Sequence, residues 1–254
     1  MWNPTRRSRN IGTPKQGHGQ NNKLTIPTPC TISKSFFERL GTYEKIEATI
    51  NDHVFMFIVE ATRGTCRHAC SIMDIEKIIK NIPIADYGDL KLIILRQPKT
   101  KEEILSPVWG RLIYSYQFEG NYYPAIIIEA VDYEKKLVWD KRQSPESSKE
   151  FDRLKADGHN FVGDKRGFKA SLTIENVRNT QLYRTLIHEF GHYAHYLEIV
   201  ERPGRSNEGF EEWEKRSDKY HKISSSEKES YAHKYADVLI KKLKTEKIIP
   251  FECI

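Results

Sequence analysis

The chain carries Leu186-Ile187-His188-Glu189-Phe190-Gly191-His192, two histidines four residues apart with a glutamate after the first. On an α-helix such a pair is separated by about 40° around the axis and roughly 6 Å along it. Both imidazoles then reach one metal ion, and Zn2+ suits two nitrogens presented this way. Glu189 lies about 100° from His188, at the edge of that face, where it can meet a water on the metal without being a ligand. The flanking residues keep the helical period. Tyr183, Leu186, Ile187, Phe190, Tyr193, Ala194 and Leu197 fall on one broad face, and Gln181, Arg184, His188, His192 and His195 on the opposite one. The expectation is one amphipathic helix over residues 177–200, with a buried stripe and a polar face carrying the histidines. Gly191 costs such a helix about 1 kcal/mol against Ala, which points to a neighbouring segment passing close by. The competing reading is a solvated histidine face on an ordinary surface helix.

A catalytic zinc site takes three protein ligands and keeps a fourth position for water. Position 198, where a third histidine would complete one common spacing, is Glu198. On a continuing helix it lies about 80° off the ligand face. Further on, residues 227–237 read as the start of a second helix running to about Lys244. Ala232 and Ala236, three and seven residues after Glu229, leave that face shallow enough to lie against the first helix and bring Glu229 to the metal. Glu227 and His221 are rival third ligands.

The HExxH stretch followed by Glu229-Ser-Tyr-Ala232 resembles the gluzincin metallopeptidases, over residues 180–240. That resemblance implies His188, His192 and Glu229 as ligands of Zn2+, Glu189 as catalytic base, and a peptide or protein substrate. It also implies a zincin-like α+β domain, with a small, mainly antiparallel sheet beside the active-site helix. In such a site the metal lowers the pKa of its water toward about 7 and polarises the scissile carbonyl. Glu189 takes the proton and hands it to the leaving amine. His233, His195, Tyr231 and Tyr235 are candidates for stabilising the oxyanion, His233 first because it shares the Glu229 face. One departure stands out. Many gluzincins have Asp four residues after the ligand Glu, buttressing a zinc histidine, and here that position is His233. In zincins an edge strand along the cleft pairs with extended substrate, and the Trp109–Val131 hairpin is the candidate for that wall.

The rest of the chain alternates strand and helix signals, an α+β pattern with strands first. Tyr43–Ile50 and His53–Ala61 flank Asn51-Asp52 as a hairpin, and Trp109–Glu119 and Tyr122–Val131 flank Gly120-Asn121 as another. Leu90–Leu95 reads as a strand, Ser33–Leu40 as a short helix, and 145–156 as a helix before a loop punctuated by Gly158, Gly163 and Gly167. Ser71–Asn81 reads as a helix capped by Ser71 with Asp74, its buried side formed by Ile72, Ile75, Ile78 and Ile79. Residues 201–226 are charged and broken by Pro203, Gly204 and Gly209, which suggests a connector.

Charge is unevenly placed. The first 37 residues hold Arg6, Arg7, Arg9, Lys15, Lys23 and Lys34 and no acid, so they carry the whole formal net charge of +6. Residues 1–31 read as a disordered basic tail and 32–254 as the domain. Such a tail can attract nucleic acid or an acidic partner, although a solubilising extension is the simpler reading. No run approaches 18 apolar residues, so no membrane helix is expected, and no secretory signal is visible. Four cysteines make no disulfide framework. The single Cys66-Arg67-His68-Ala69-Cys70 cluster lacks zinc-ribbon spacing and reads as reduced thiols. A cytoplasmic protein is expected, of open oligomeric state. The alternative function is a zinc-binding regulatory or interaction protein of the same fold with little proteolytic activity, one form of it nucleic-acid-associated through the tail.

Overall fold

The structure is a computed structural model and describes residues 38–99, 108–204 and 208–253. The basic tail 1–31 and most of the helix expected at Ser33–Leu40 lie outside the described residues. The rest falls within one compact unit, Phe37–Ile254.

Strand β1 (Tyr43–Ile50) and β2 (His53–Glu60) form the expected hairpin, closed by Asn51 and Asp52 at φ of 50° and 63°. Positive φ at both central residues is what a tight hairpin turn demands, and Asn and Asp tolerate it best after Gly. A two-residue β3 (Cys66–Arg67) follows, then β4 (Leu92–Arg96), β5 (Gly110–Phe118), β6 (Asn121–Glu129) and β7 (Val131–Asp132). The second hairpin turns at Glu119-Gly120, one residue earlier than the sequence suggested.

The main sheet has the order β1-β2-β4-β6-β5. It is mixed, which corrects the expectation of a mainly antiparallel sheet: β2–β4 and β4–β6 are parallel, and only the two hairpins pair antiparallel. Parallel pairing requires a crossover. Helix α1 (Ile72–Ile79) lies in the connection from β2 to β4, and β5 turns back on the far side of β6, leaving β6 free to join β4. The central β4 is buried along its whole length, as a strand covered on both faces must be. Residues 110–118 therefore form an edge strand, with no further strand beside it among the described residues. A separate three-stranded sheet has the order β8-β10-β9, from β8 (Lys136–Asp140), β9 (Val162–Gly163) and β10 (Gly167–Ser171).

Helix α2 (Pro145–Ala156) is capped by Ser144. The expected long helix is a continuous helical run from α3 (Ile174–Thr180) through a wider π-helical turn at 181–185 and α4 (Leu186–Tyr196) to a second wide turn at 197–201. Its expected polar face is largely covered. Gln181 is fully buried and His195 nearly so. Gln181 Nε2 donates to the carbonyls of Trp109 (3.0 Å) and Glu129 (2.6 Å), fastening the β5–β6 hairpin to the helix. The connector at 201–226 contains a helix, α5 (Phe210–Lys222), which Gly209 introduces rather than prevents: the Gly209 N–H donates to Glu212 Oε2 at 2.8 Å. Helix α6 (Ser225–Thr245) completes the chain. Among the described residues no helix is long and apolar enough to cross a membrane, and Cys66, Cys70 and Cys253 are free thiols.

The core lies between the sheet and α4. Phe55, Phe57, Ile93, Ile126 and Ile128 from the strands meet Leu186, Ile187 and Phe190 from the helix in one cluster. Each such side chain contributes about 1.5–3 kcal/mol on burial, so α4 is held rigidly on the sheet with its remaining faces aimed elsewhere.

Candidate metal centre

His188 and His192 project from successive turns of α4 so that their Nε2 atoms stand 3.1 Å apart. Glu229, on α6, closes the triangle: Oε2 is 3.2 Å from His188 Nε2 and Oε1 is 3.3 Å from His192 Nε2. Among the described residues these three side chains form the group whose ligand atoms lie close enough together to hold a metal ion. A tetrahedral zinc about 2.0–2.1 Å from each ligand separates its donors by roughly 3.3–3.4 Å. The observed triangle is within a few tenths of an ångström of that, and two imidazoles with one carboxylate suit Zn2+. The residues present thus fit the ion.

The triangle depends on how closely α6 approaches α4. A Cβ on Gly191 would stand 3.0 Å from the Ala232 Cα and carbonyl oxygen and 3.1 Å from Tyr235 Cβ. The helices touch where one offers no side chain and the other a single methyl. That contact falls one residue before His192 and three after Glu229, and so sets the reach of all three ligands.

Glu189 is different in kind. It stands outside the triangle, is 7 % exposed, and accepts a hydrogen bond from the Leu112 N–H of β5. Burial pushes its carboxyl above the usual range, although the neighbouring histidines oppose this. Glu229 shifts the other way: hydrogen bonds from His188 and His192 hold its carboxylate well below the usual range. Burial works against charge on His192, yet its hydrogen bond to Glu229 and the nearby Glu189 and Glu229 carboxylates outweigh it and raise its pKa. Compared with protein-family models, curated proteins and solved structures, the chain matches none.

The other sequence candidates separate cleanly. His221, at the end of α5, and Glu227, in the first turn of α6, are exposed and outside the cluster. Tyr231 donates to Glu198 (2.6 Å) and Tyr235 to Asp86 (2.8 Å). His195 is stacked on Tyr231 with ring centroids 4.1 Å apart. His233 remains beside the centre. Its ring centroid is 4.4 Å from that of His188 and its Nε2 is 3.9 Å from Glu229 Oε2. Burial, then the His188 and Arg153 charges, push its pKa down to about 4. It packs on the His188 ring, whose Nδ1 is buried without a hydrogen-bond partner.

Three supports have no signature in the motif. The Tyr220 hydroxyl, on α5, reaches the His192 carbonyl at 3.3 Å and pairs with the Tyr114 hydroxyl of β5 at 2.6 Å. The Leu112 N–H holds Glu189. Arg184, one turn before His188, donates from Nε to Asp157 (2.7 Å) and from Nη1 to Glu150 (2.9 Å). His188, Glu189 and Glu229 open onto a cleft of about 1500 Å³ bounded by the start of β5, β8, α2 and α6.

Proposed function

We propose that this chain is a zinc-dependent peptidase of zincin-like fold, with His188, His192 and Glu229 holding the metal and Glu189 acting as general base. The observation that carries this reading is the convergence of three donors at 3.1–3.3 Å beside a fourth, buried carboxylate that takes no part in the triangle. Two carboxylates of one site pushed in opposite directions have separate roles. Bound zinc supplies an acidified water and a polarised carbonyl. Glu189 accepts the proton, and its raised pKa brings it nearer the working pH of an acid–base group. It then protonates the leaving nitrogen. His233, neutral at pH 7, is the oxyanion donor, since the other three candidates are engaged elsewhere or stacked. The open edge of β5 bounds the start of the cleft and pairs with extended substrate.

The test is zinc analysis of the purified protein together with a screen for cleaved products in a proteome-derived peptide library, with and without chelator. One zinc per chain and chelator-sensitive cleavage are expected. A zinc-loaded protein that cleaves nothing would favour the regulatory reading instead.

A further inference from the structure

Besides β5, the cleft is bordered by a second sheet edge that no other strand pairs with among the described residues. Strand β8 is the outermost strand of its sheet, and residues 136–139 line the cleft. Which of its backbone groups face the cleft follows from the register. Gly167 of β10 sends both its N–H and its carbonyl toward Asp164, away from β8. Phe168 therefore faces β8 and pairs with Trp139, as Ala170 pairs with Leu137 two residues on. The alternation leaves the N–H and C=O of Lys136 and Val138 on the open side.

The opposite wall is α6, whose cleft-lining positions run from Ser225 to Val238 with Glu229 between them. Thirteen rises of 1.5 Å make a wall of about 20 Å. An extended chain advancing about 3.3 Å per residue fills it with roughly six residues. Val138 on the strand wall and Val238 on the helix wall are 61 % and 66 % exposed, unusual apolar exposure within a cleft. Among the described residues the lining holds seven basic and seven acidic side chains. That balance lacks the positive excess a phosphate backbone requires and suits a polypeptide.

We infer that the open edge of β8 is a second strand-addition site, which takes an extended polypeptide segment of about six residues with apolar side chains against Val138 and Val238. This rests on the peptidase reading, because the segment it takes is the substrate that crosses the metal centre. Backbone pairing of this kind needs substrate that is already unfolded or locally extended, so long flexible segments are favoured over di- and tripeptides.

The experiment uses the full-length, zinc-loaded Glu189→Gln protein, so that bound substrate persists. The probes are terminally blocked peptides of alternating Leu and Ser, four, six and eight residues long, and a reduced, carboxymethylated model protein. Amide hydrogen exchange should show new protection at Val138 and Lys136 and little change at Leu137 and Trp139, which already face β10. Affinity should rise up to about six residues and then level. Val138→Pro removes one open-edge N–H, at a position where an edge strand accepts proline. It should weaken binding about 3- to 10-fold, the share of one backbone hydrogen bond, whereas Val138→Thr should not. Protection without any cleavage by the wild type would sink the peptidase reading and leave the docking edge standing. Cleavage with no protection at Val138, and unimpaired by Val138→Pro, would overturn the docking edge alone. Absence of protection with either probe, or protection that appears with rising protein concentration and no probe, would also overturn it, the latter by assigning the edge to a second copy of the chain.

Discussion

Glu189 and Glu229 lie on the two helices that meet at the candidate metal centre, one at the floor of the cleft and 7 % exposed, the other on its rim with a side chain 53 % exposed. The floor is fixed by packing. Leu186, Ile187 and Phe190 seat α4 on the sheet, Gln181 ties its helical run to the carbonyls of Trp109 and Glu129, and the Leu112 N–H orients the Glu189 carboxylate. The rim is held where Ala232 meets Gly191, by Ala236, Leu239 and Leu243 in the core and by the Tyr231 and Tyr235 hydroxyls, while its cleft-facing positions are mostly exposed. The same functional group thus acquires opposite properties. Burial disfavours charge on Glu189, while the imidazole partners favour it on Glu229. The proposed roles follow that split, a proton carrier on the rigid floor and an anionic ligand on the rim, where water lowers the cost of its charge.

The largest expected effect breaks the floor's chemistry without touching the rim. Glu189→Gln keeps the size of the side chain and can still accept the Leu112 hydrogen bond, but takes up no proton near neutral pH. Peptide hydrolysis should fall about 10²–10⁴-fold, with zinc content and melting temperature near wild type. Wild-type turnover by a zinc-loaded variant would remove Glu189 from the mechanism.

On the rim the expected change is in the metal. Glu229→Ala should weaken zinc binding by more than the 10- to 100-fold typical of losing a group that merely orients a ligand. Because the side chain is half exposed, stability of the metal-free protein should move by only about 0.5 kcal/mol. Chelator competition and a metal-free melt read the two quantities. Full zinc retention by Glu229→Ala, with loss in Glu227→Ala or His221→Ala, would reassign the third ligand.

Where floor and rim touch, the effect should be on packing. Gly191→Val places branched carbon against the Ala232 backbone, which has no side chain to swing away. Overpacking of this kind costs about 1–3 kcal/mol, and zinc affinity should drop with it because Glu229 rides on the displaced helix. Ser230→Ala, on the exposed side of the same helix, should alter chemical denaturation by less than about 0.5 kcal/mol. Equal stability of the two variants would mean that the close contact does not set the ligand triangle.

What could be read from the sequence follows the same division. The histidine pair, Gly191 and the Ala232–Ala236 face are legible because helical geometry relates residues three or four apart, and both helices were anticipated to within a few residues. The floor's supports were not. Gln181 sits at a position that periodicity assigns to a polar face, and its two partners are backbone carbonyls 72 and 52 residues distant. The Leu112 donor is backbone and has no residue signature. The parallel pairing of β4 is likewise invisible locally, since it depends on which distant strands β4 lies between. Helix α5 is obscured in the sequence because Gly209 is ordinarily a helix breaker, whereas here it opens the helix.

The smallest effect concerns acid, and it should also divide floor from rim. His159 lies behind the floor, 2 % exposed, with Nε2 2.9 Å from the Thr180 hydroxyl. Burial lowers its pKa, and burial lowers that of His68 as well, against a hydrogen bond to the Glu60 carbonyl. Both are therefore neutral in the folded protein where an unfolded chain begins to take protons. Well above about pH 6.5, the unfolded pKa, neither state binds a proton and these groups contribute no pH dependence. Below it the unfolded state binds more, so stability falls as pH falls and goes on falling until the depressed folded pKa is reached. His159→Gln removes one titrating group and keeps a polar partner for Thr180. The loss of melting temperature between about pH 7.5 and about pH 5.5 should be smaller in this variant than in the wild type, measured on metal-free protein so that ligand protonation does not intrude. Ser230→Ala on the rim should leave that difference unchanged. An undiminished acid response in His159→Gln would show that the buried histidine is already protonated in the fold, or that carboxylates alone carry the response.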